Sequence, residues 1–350
     1  MTADDLTSGE EVKVDYASIE DTLAELWRTE KQEHENAVTR AALWNVVAHS
    51  ATPEHHTEAS ETLSKASVAV PQRTIVVRAN PAGPTEMTSW ISANCHLLSE
   101  GKQVCSEEIA IVAGGDRVAR VPPLVSALLI PDMPVAVWWL GDLPHENAEY
   151  VQALLEPADR LIVDSSAFDS PADLALVARV AQKTITAPAD LNWIRLEEWR
   201  IATASLFDPA EMRTKLAHIR RIRILTDAMQ QNYFGERIEG LLFASWLLAQ
   251  AGCLIDRVDI EIEERHSLRR GLLRVEVTME DSSVAFIERD IDRGVLVTRY
   301  DGHITVPDGL TRAQKRTTDQ LIVRELKDPS SDRLLLKVLP VSVELAKRVA

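Results

Sequence analysis

Between Asp190 and Asp208 the chain reads Asp-Leu-Asn-Trp-Ile-Arg-Leu-Glu-Glu-Trp-Arg-Ile-Ala-Thr-Ala-Ser-Leu-Phe-Asp. The guanidiniums of Arg195 and Arg200 are planar forks that grip carboxylates and phosphates, and the indoles of Trp193 and Trp199 offer broad apolar faces with one N–H each. Arg and Trp are also the residue types that most often anchor protein interfaces, so the chemistry on offer is recognition. Asp190 or Asn192 is placed to accept from the first free N–H groups of a helix. Counted from Trp193, the positions Leu196, Trp199, Thr203, Leu206 and Phe207 follow helical spacing, which predicts one amphipathic helix with that face buried. Trp199, on that face, reads as core. A core helix joining two domains is the plainer account of the whole stretch.

Bond-making chemistry finds little support elsewhere. Gly114-Gly115-Asp116 has neither the spaced third glycine of a dinucleotide site nor a Gly-Lys-Ser/Thr, and reads as a turn. The three cysteines form no Cys-x-x-Cys pair, and Glu54-His55-His56 lacks the helical spacing of a zinc site. No metal and no cofactor are therefore expected. Ser165-Ser166 is not a glycine-flanked nucleophile elbow, and Asp164 near Arg160 reads as a structural pair or helix cap. An odd cysteine count argues for reduced thiols, although Cys95 and Cys105 bracket a presumed hairpin where cross-strand neighbours come within bridging reach. Trp138-Trp139 ends a buried-type strand, so one indole should enter the core while the other faces a helix layer or a cleft. If the strand ends line a crevice, Arg73, Trp139, Asn192 and Arg195 would converge there on a phosphate, sugar or carboxylate.

Asp190-Leu-Asn-Trp-x-Arg-Leu, followed by Trp199-Arg200 and Leu206-Phe207-Asp208, resembles the signature of the OpcA family, the glucose-6-phosphate dehydrogenase assembly proteins. Further blocks occur in the family's order: Pro71-Gln72-Arg73, Cys95, Val104-Cys105-Ser106-Glu107-Glu108-Ile109, Pro131-Asp132-Met133-Pro134 before Trp138-Trp139, and Ala158-Asp159-Arg160-Leu161-Ile162-Val163-Asp164-Ser165. They span about residues 70 to 210. The resemblance implies a protein that is not an enzyme, binds glucose-6-phosphate dehydrogenase, promotes its active oligomer and so supports NADPH production in the oxidative pentose phosphate pathway. It implies thiol-dependent control for Cys95 and Cys105, whose plainer reading is a pair of buried inert thiols. The alternative function is a sugar-phosphate-binding enzyme or sensor using an arginine-lined cleft.

These residues need scaffolding, and 350 residues with 45% hydrophobic content suffice for two packed domains. Residues 1–16 read as a disordered acidic tail. Residues 17–189 alternate strands and helices, which predicts an α/β domain built on a mixed sheet with helices on its faces. Residues 190–350 predict an α+β domain with an antiparallel sheet, because Val258–Glu263, Leu272–Met279, Val284–Arg289 and Val295–Arg299 read as short strands beside the apolar helix Phe234–Ala251. Ala41–Ala48 reads as strand or short helix, Ala217–Leu225 as strand or continued helix, and Thr311–Leu326 as a helix. The net charge of −16 disfavours nucleic-acid binding, and residues 1–66 carry 14 acidic against 5 basic residues. Met1–Glu11 shows no leader pattern and no apolar run is long enough to cross a bilayer, so a cytoplasmic address without a membrane partner is expected.

Overall fold

Strands buried on both faces are mostly apolar, and the runs Trp44–Ser50 and Val135–Trp139 are buried at every position, with Asn45, His49 and Ser50 as the polar members of the first. The computed structural model describes residues 12–33, 38–97, 103–141, 143, 148–170, 173–228, 235–266, 271–328 and 330–349. In chain order the elements are β1 (Val12–Val14), α1 (Ile19–Glu33), β2 (Val38–Arg40), β3 (Trp44–Ser50), α2 (Pro53–Ser67), β4 (Gln72–Asn80), β5 (Met87–Leu97), β6 (Gln103–Gly114), α3 (Val121–Leu128), β7 (Val135–Trp139), α4 (Ala148–Leu155), β8 (Arg160–Val163) and α5 (Asp173–Lys183). They continue with β9 (Ala187–Asp190), α6 (Leu191–Arg195), α7 (Glu197–Phe207), α8 (Ala210–Leu216), β10 (Ile219–Ala228), α9 (Gly235–Ala251), β11 (Asp259–His266), β12 (Gly271–Met279), β13 (Val284–Asp290), β14 (Val295–Asp301), β15 (Gly309–Arg312), α10 (Thr318–Lys327) and α11 (Arg333–Val349). Two compact units result: Met1–Val163 with Ile185–Ala187 and Thr317–Ser330, and Asp164–Thr184 with Pro188–Arg316 and Ser331–Ala350. The sequence division at 189/190 is contiguous, whereas this grouping is not.

The first sheet runs β1-β5-β6-β4-β3-β7-β8-β9, with β2 also on β6. The pairs β6–β4, β4–β3, β3–β7 and β7–β8 are parallel, while β5 runs antiparallel to β6 and β1 antiparallel to β5. Taken alone, β6-β4-β3-β7-β8 is the 3-2-1-4-5 order of doubly wound dinucleotide-binding domains, with the hairpin strand β5 where that fold has a helix. Helices lie on both faces. Gln72 reaches the Leu63 carbonyl of α2, and Ser60 of α2 donates to Glu108, whereas the neighbouring Arg73 points the other way, to the Leu128 carbonyl of α3. The helix α10 returns to this unit from far along the chain. Trp44 Nε1 donates to the Leu326 carbonyl at 2.9 Å, and Arg160 pairs with Glu325 and donates to the Ser330 carbonyl.

The second unit carries the sheet β11-β10-β12-β13-β14-β15, antiparallel throughout except for the parallel pair β10–β11. Its inner face, with Ile222, Ile224, Val275, Val277, Ala285, Ile287 and Leu296 fully buried, packs on α7 and α9. Gly240 lets α9 approach closely, since a Cβ there would sit 3.2 Å from Ile262 and 3.3 Å from Ile224. The α/β unit with its mixed sheet and the α+β unit with its antiparallel-rich sheet agree with the expected fold class.

Several local expectations change. Residues 12–14 of the expected tail form β1 against β5, while residues 1–11 lie outside the described residues. Ala41–Ala48 resolves as strand because β3 is sandwiched between β4 and β7, and Ala217–Leu225 resolves as strand because its alternating isoleucines fill one sheet face. Thr311–Leu326 is not one helix. Gly309–Arg312 pairs with β14, and α10 starts only where Thr317 and Gln320 form a capping box.

The glycine pair at the end of β6 is structural. A Cβ on Gly114 would lie 2.2 Å from the Pro84 carbonyl oxygen, and Gly115 has φ of +53°. Gly114→Ala should therefore destabilise the protein by about 3 kcal/mol, as backbone-limited overpacking does. Urea unfolding checks this, and an unchanged midpoint would show that the Pro84 turn yields freely.

Candidate functional site

The Asp190–Asp208 segment forms two helices. Asp190 caps α6 by accepting from Asn192 N at 3.0 Å, and the chain breaks at Leu196 before α7. A single amphipathic helix was expected. The break turns α6 so that its polar side chains meet the turn after β8: Arg195 forks onto Asp164 with both bonds at 2.7 Å, and Asn192 Nδ2 donates to Ser165 Oγ at 3.1 Å. Ser165 in turn donates to Asp190 through its N–H at 3.0 Å and its Oγ at 2.7 Å. Two separate sequence blocks therefore clasp each other.

Trp193 fastens the same segment elsewhere. Its Nε1 donates to Asp332 at 2.7 Å, and Asp332 accepts from the backbone of Leu334 and Leu335, starting α11. The Arg200 guanidinium lies 3.6 Å above the Trp193 ring centre and donates to its carbonyl. Trp199 is 1% exposed and meets Phe243 edge-on. Arg316 joins Glu197 and Glu198 at 3.3 and 2.8 Å. Trp193 is also 1% exposed, which leaves Arg195, at 29%, and the half-buried Arg200 as the segment's candidates with surface to offer.

Charge follows geometry in this clasp. Burial pushes the Asp190 carboxyl up to about 6, although donation from Ser165 opposes it. Burial also pushes Asp164 up, but the Arg195 charge and hydrogen bonds outweigh it and hold that carboxyl below its usual range. Ser165 is fully buried. A buried serine bonded to a carboxylate that already accepts three bonds is a joint in the fold, with no exposed nucleophile.

Arg73 belongs to the first unit. It is 3% exposed and is held by Glu107, by Glu20 at 2.5 Å and by the Leu128 carbonyl, while Trp27 Nε1 meets Glu107 at 2.9 Å. Burial pulls its pKa down, yet the two carboxylates keep it above the usual value. Both arginines of the expected crevice thus spend their forks inside their own units. Asn192 is 2% exposed in the second unit, and Trp139 is in the first.

Trp138 and Trp139 are each 2% exposed, so both indoles are buried and neither opens onto a surface cleft. Trp139 stacks on His49 with ring centres 3.8 Å apart, and Tyr150 of α4 stands edge-on to His49 at 5.5 Å. His49, next to the end of β3, is the register partner of Trp139 at the end of β7, which is where a doubly wound sheet reverses its strand order. Burial drives the His49 pKa down to about 3, and both ring nitrogens lack a hydrogen-bond partner among the described residues, as does the Tyr150 hydroxyl. Sequence reasoning missed His49 and Tyr150. A histidine inside the apolar run Trp44–Ser50 was the available signal, because polar groups in such runs are buried.

Cys105 is disulfide-bonded, Cys95 is its direct register partner across the hairpin, and Cys253 is free. The expectation of reduced thiols is corrected for Cys105, because the hairpin puts the two backbones directly opposite. No group of three His, Cys, Asp or Glu fit to hold a metal occurs among the described residues. No helix of the described residues is long and apolar enough to cross a membrane.

Residues 63–179 match the family model described as the glucose-6-phosphate dehydrogenase subunit N-terminal domain, and residues 186–339 match that of its C-terminal domain. A putative OxPP cycle protein OpcA from Synechocystis is 32% identical over 163 residues, covering 46% of this chain and 33% of that protein. The OpcA proteins of Synechococcus elongatus and Nostoc punctiforme are 28% and 29% identical over 172 and 163 residues, 49% and 46% of this chain. The chain spans between 33% and 37% of the length of the curated relatives it matches. Among solved structures, a 3-ketoreductase from Actinomadura kijaniata is similar at 10% identity and a TM-score of 0.48, covering 87% of this chain and 96% of its own. A dehydrogenase from Chromobacterium violaceum is similar at 9% and 0.45, with 88% and 94% covered. Likenesses this distant bear on neither activity nor cofactor.

Arg195→Leu should cost about 3 kcal/mol, the usual effect of stranding one member of a sequestered ion pair. Asp164 has a depressed folded pKa, so the pair's contribution is complete above the unfolded value of about 4 and is lost as pH falls through the folded one. The stability gap between wild type and Arg195→Leu should accordingly narrow in acid. A gap that stays constant from neutral pH into acid would contradict the pairing.

Proposed function

Because the chain belongs to the OpcA family, the glucose-6-phosphate dehydrogenase assembly proteins, we propose that it binds glucose-6-phosphate dehydrogenase and promotes its active oligomer without performing catalysis itself. The observation that carries this reading is the match of both family models, in order, over most of the chain. The geometry agrees with it. The residue types that would do chemistry, Arg73, Asp164, Ser165, Asp190 and Arg195, are engaged with one another or with neighbouring elements. Binding is then the task left to the surface, with the half-buried Arg195 and Arg200 as the members of the signature that reach it and Trp193 and Trp199 as their support. Such an activator must bind the active state of the enzyme more tightly than the inactive one. It would act in a cytoplasmic setting on NADPH supply.

A second reading, a sensor of a small polar metabolite such as a sugar phosphate, draws on the unpartnered nitrogens of His49 and the Tyr150 hydroxyl at the strand-order reversal. Arg73 does not contribute to it. Melting curves with and without glucose 6-phosphate address this reading, and a shift abolished by His49→Phe would favour it.

The deciding experiment takes glucose-6-phosphate dehydrogenase of the same organism, purified with and without this chain, and measures complex mass and kinetics. The expected result is a stable complex and a KM or kcat/KM change of roughly 5- to 150-fold, the span of ordinary allosteric couplings. Arg200→Ala should weaken the effect several-fold while the melting temperature moves little. A complex without any kinetic change would reduce the role to scaffolding, and no complex between two folded proteins would remove the proposal.

A further inference from the structure

Among the described residues, helices pack on the inner face of the sheet in the second unit. On the outer face three registered rows are open. The first runs Asp259, Arg221, Thr278, Val284, and the second Glu261, Arg223, Glu276, Phe286, Arg299. The third is Glu263, Leu225, Arg274, Glu288, Val297, Leu310. Arg223 and Glu263 are 43% and 47% exposed, and Leu310 is 59% exposed.

The face has three bands. At the β11 edge Asp259, Glu261 and Glu263 form an acidic band, partly met by Arg221 and Arg223. Through β13 and β14 runs an apolar band of Val284, Phe286 and Val297 that continues to Leu310. Beyond it lie Arg299, 3.6 Å from the exposed Asp308, and Arg312, both exposed. Six strands at about 4.8 Å spacing and roughly seven residues of about 3.3 Å each give a face of roughly 650 Å². Two such faces together remove roughly 1,300 Å² from water, within the range of stable specific interfaces of about 1,200–2,000 Å².

We infer that this face binds a second copy of the chain, forming a two-fold dimer by packing sheet against sheet. A two-fold axis parallel to the strands reverses strand order across the interface. It lays β11 of one copy over β14 and β15 of the other, so that the acidic band faces Arg299 and Arg312 twice over while the apolar bands meet near the axis. One patch satisfies itself, as an isologous contact requires. Partners with one uniformly charged surface suit the face less well, since its charges alternate from edge to edge.

Sedimentation velocity on the full chain tests the inference. Wild type should sediment as a dimer, twice the 38.9 kDa of one chain, at low micromolar concentration. Phe286→Glu and Leu310→Glu should each raise the dissociation constant at least about tenfold with the melting curve of the monomer preserved, because both side chains lie outside the inner core. Ile201→Glu, on the exposed side of α7, serves as the control and should leave the dimer intact. A monomeric wild type at roughly 50 µM, well above a micromolar dissociation constant, overturns the inference. So does a dimer indifferent to both glutamate variants. A monomeric wild type in which Phe286→Glu abolishes binding to glucose-6-phosphate dehydrogenase assigns the face to the enzyme and likewise removes the second copy.

Discussion

A guanidinium wholly or largely withdrawn from water must have its fork met, and Arg73, Arg160 and the partly buried Arg195 impose that condition on this fold. Arg73 ties β4 to Glu20 of α1, Glu107 of β6 and the end of α3. Arg160 holds β8 to α10 through Glu325 and Ser330. Arg195 locks α6 onto the turn that follows β8. Each joins segments far apart in sequence, and displacing any one segment would strand a sequestered charge at a cost of several kcal/mol. The apolar cores supply the bulk of the stabilisation. The arginines select which of many apolar packings is formed.

The same condition accounts for what the Trp-Arg signature does. Trp and Arg mark interfaces on average, but here Trp193 and Trp199 are internal, one bonded to the start of α11 and the other set against Phe243 of α9. What distinguishes a surface anchor from an internal clasp is the partner, and the partners Asp164, Ser165 and Asp332 lie 25 to 139 positions away in sequence. No periodicity carries that information. The block Ala158–Ser165 was visible as a motif, yet only the folded chain shows it to be the receptor of the other block.

Element type was legible where a pattern is locally complete. Alternation in Val275, Val277 and Met279 marks β12, and Gly252, with φ of +66°, ends α9 where an apolar helix reaches its stop. Boundaries failed where tertiary pairing overrides propensity. Leu310 and Thr311 belong to a strand because β14 offers an edge, and Leu196 interrupts a helical pattern because α6 must turn toward Asp164. The identity of the parallel sheet's order was not legible at all, since β5 intrudes between β4 and β6 where a helix would have announced the doubly wound arrangement. His49 was hidden for a related reason: a buried histidine among the scattered polar positions of β3 has no spacing to read.

The path of the chain has a consequence for how the protein comes into being. The first unit lacks its last piece until Thr317–Ser330 exists, although its strands β1 to β8 are all made by Val163. On a ribosome delivering about 5 to 20 residues per second, that gap amounts to many seconds during which the sheet is present without α10. Throughout that interval the indole N–H of Trp44 has no Leu326 carbonyl to meet, and the fork of Arg160 has neither Glu325 nor Ser330. The nascent chain thus carries an unfinished α/β layer while the entire second sheet is being made, and the helix that finishes the first unit emerges only after that sheet.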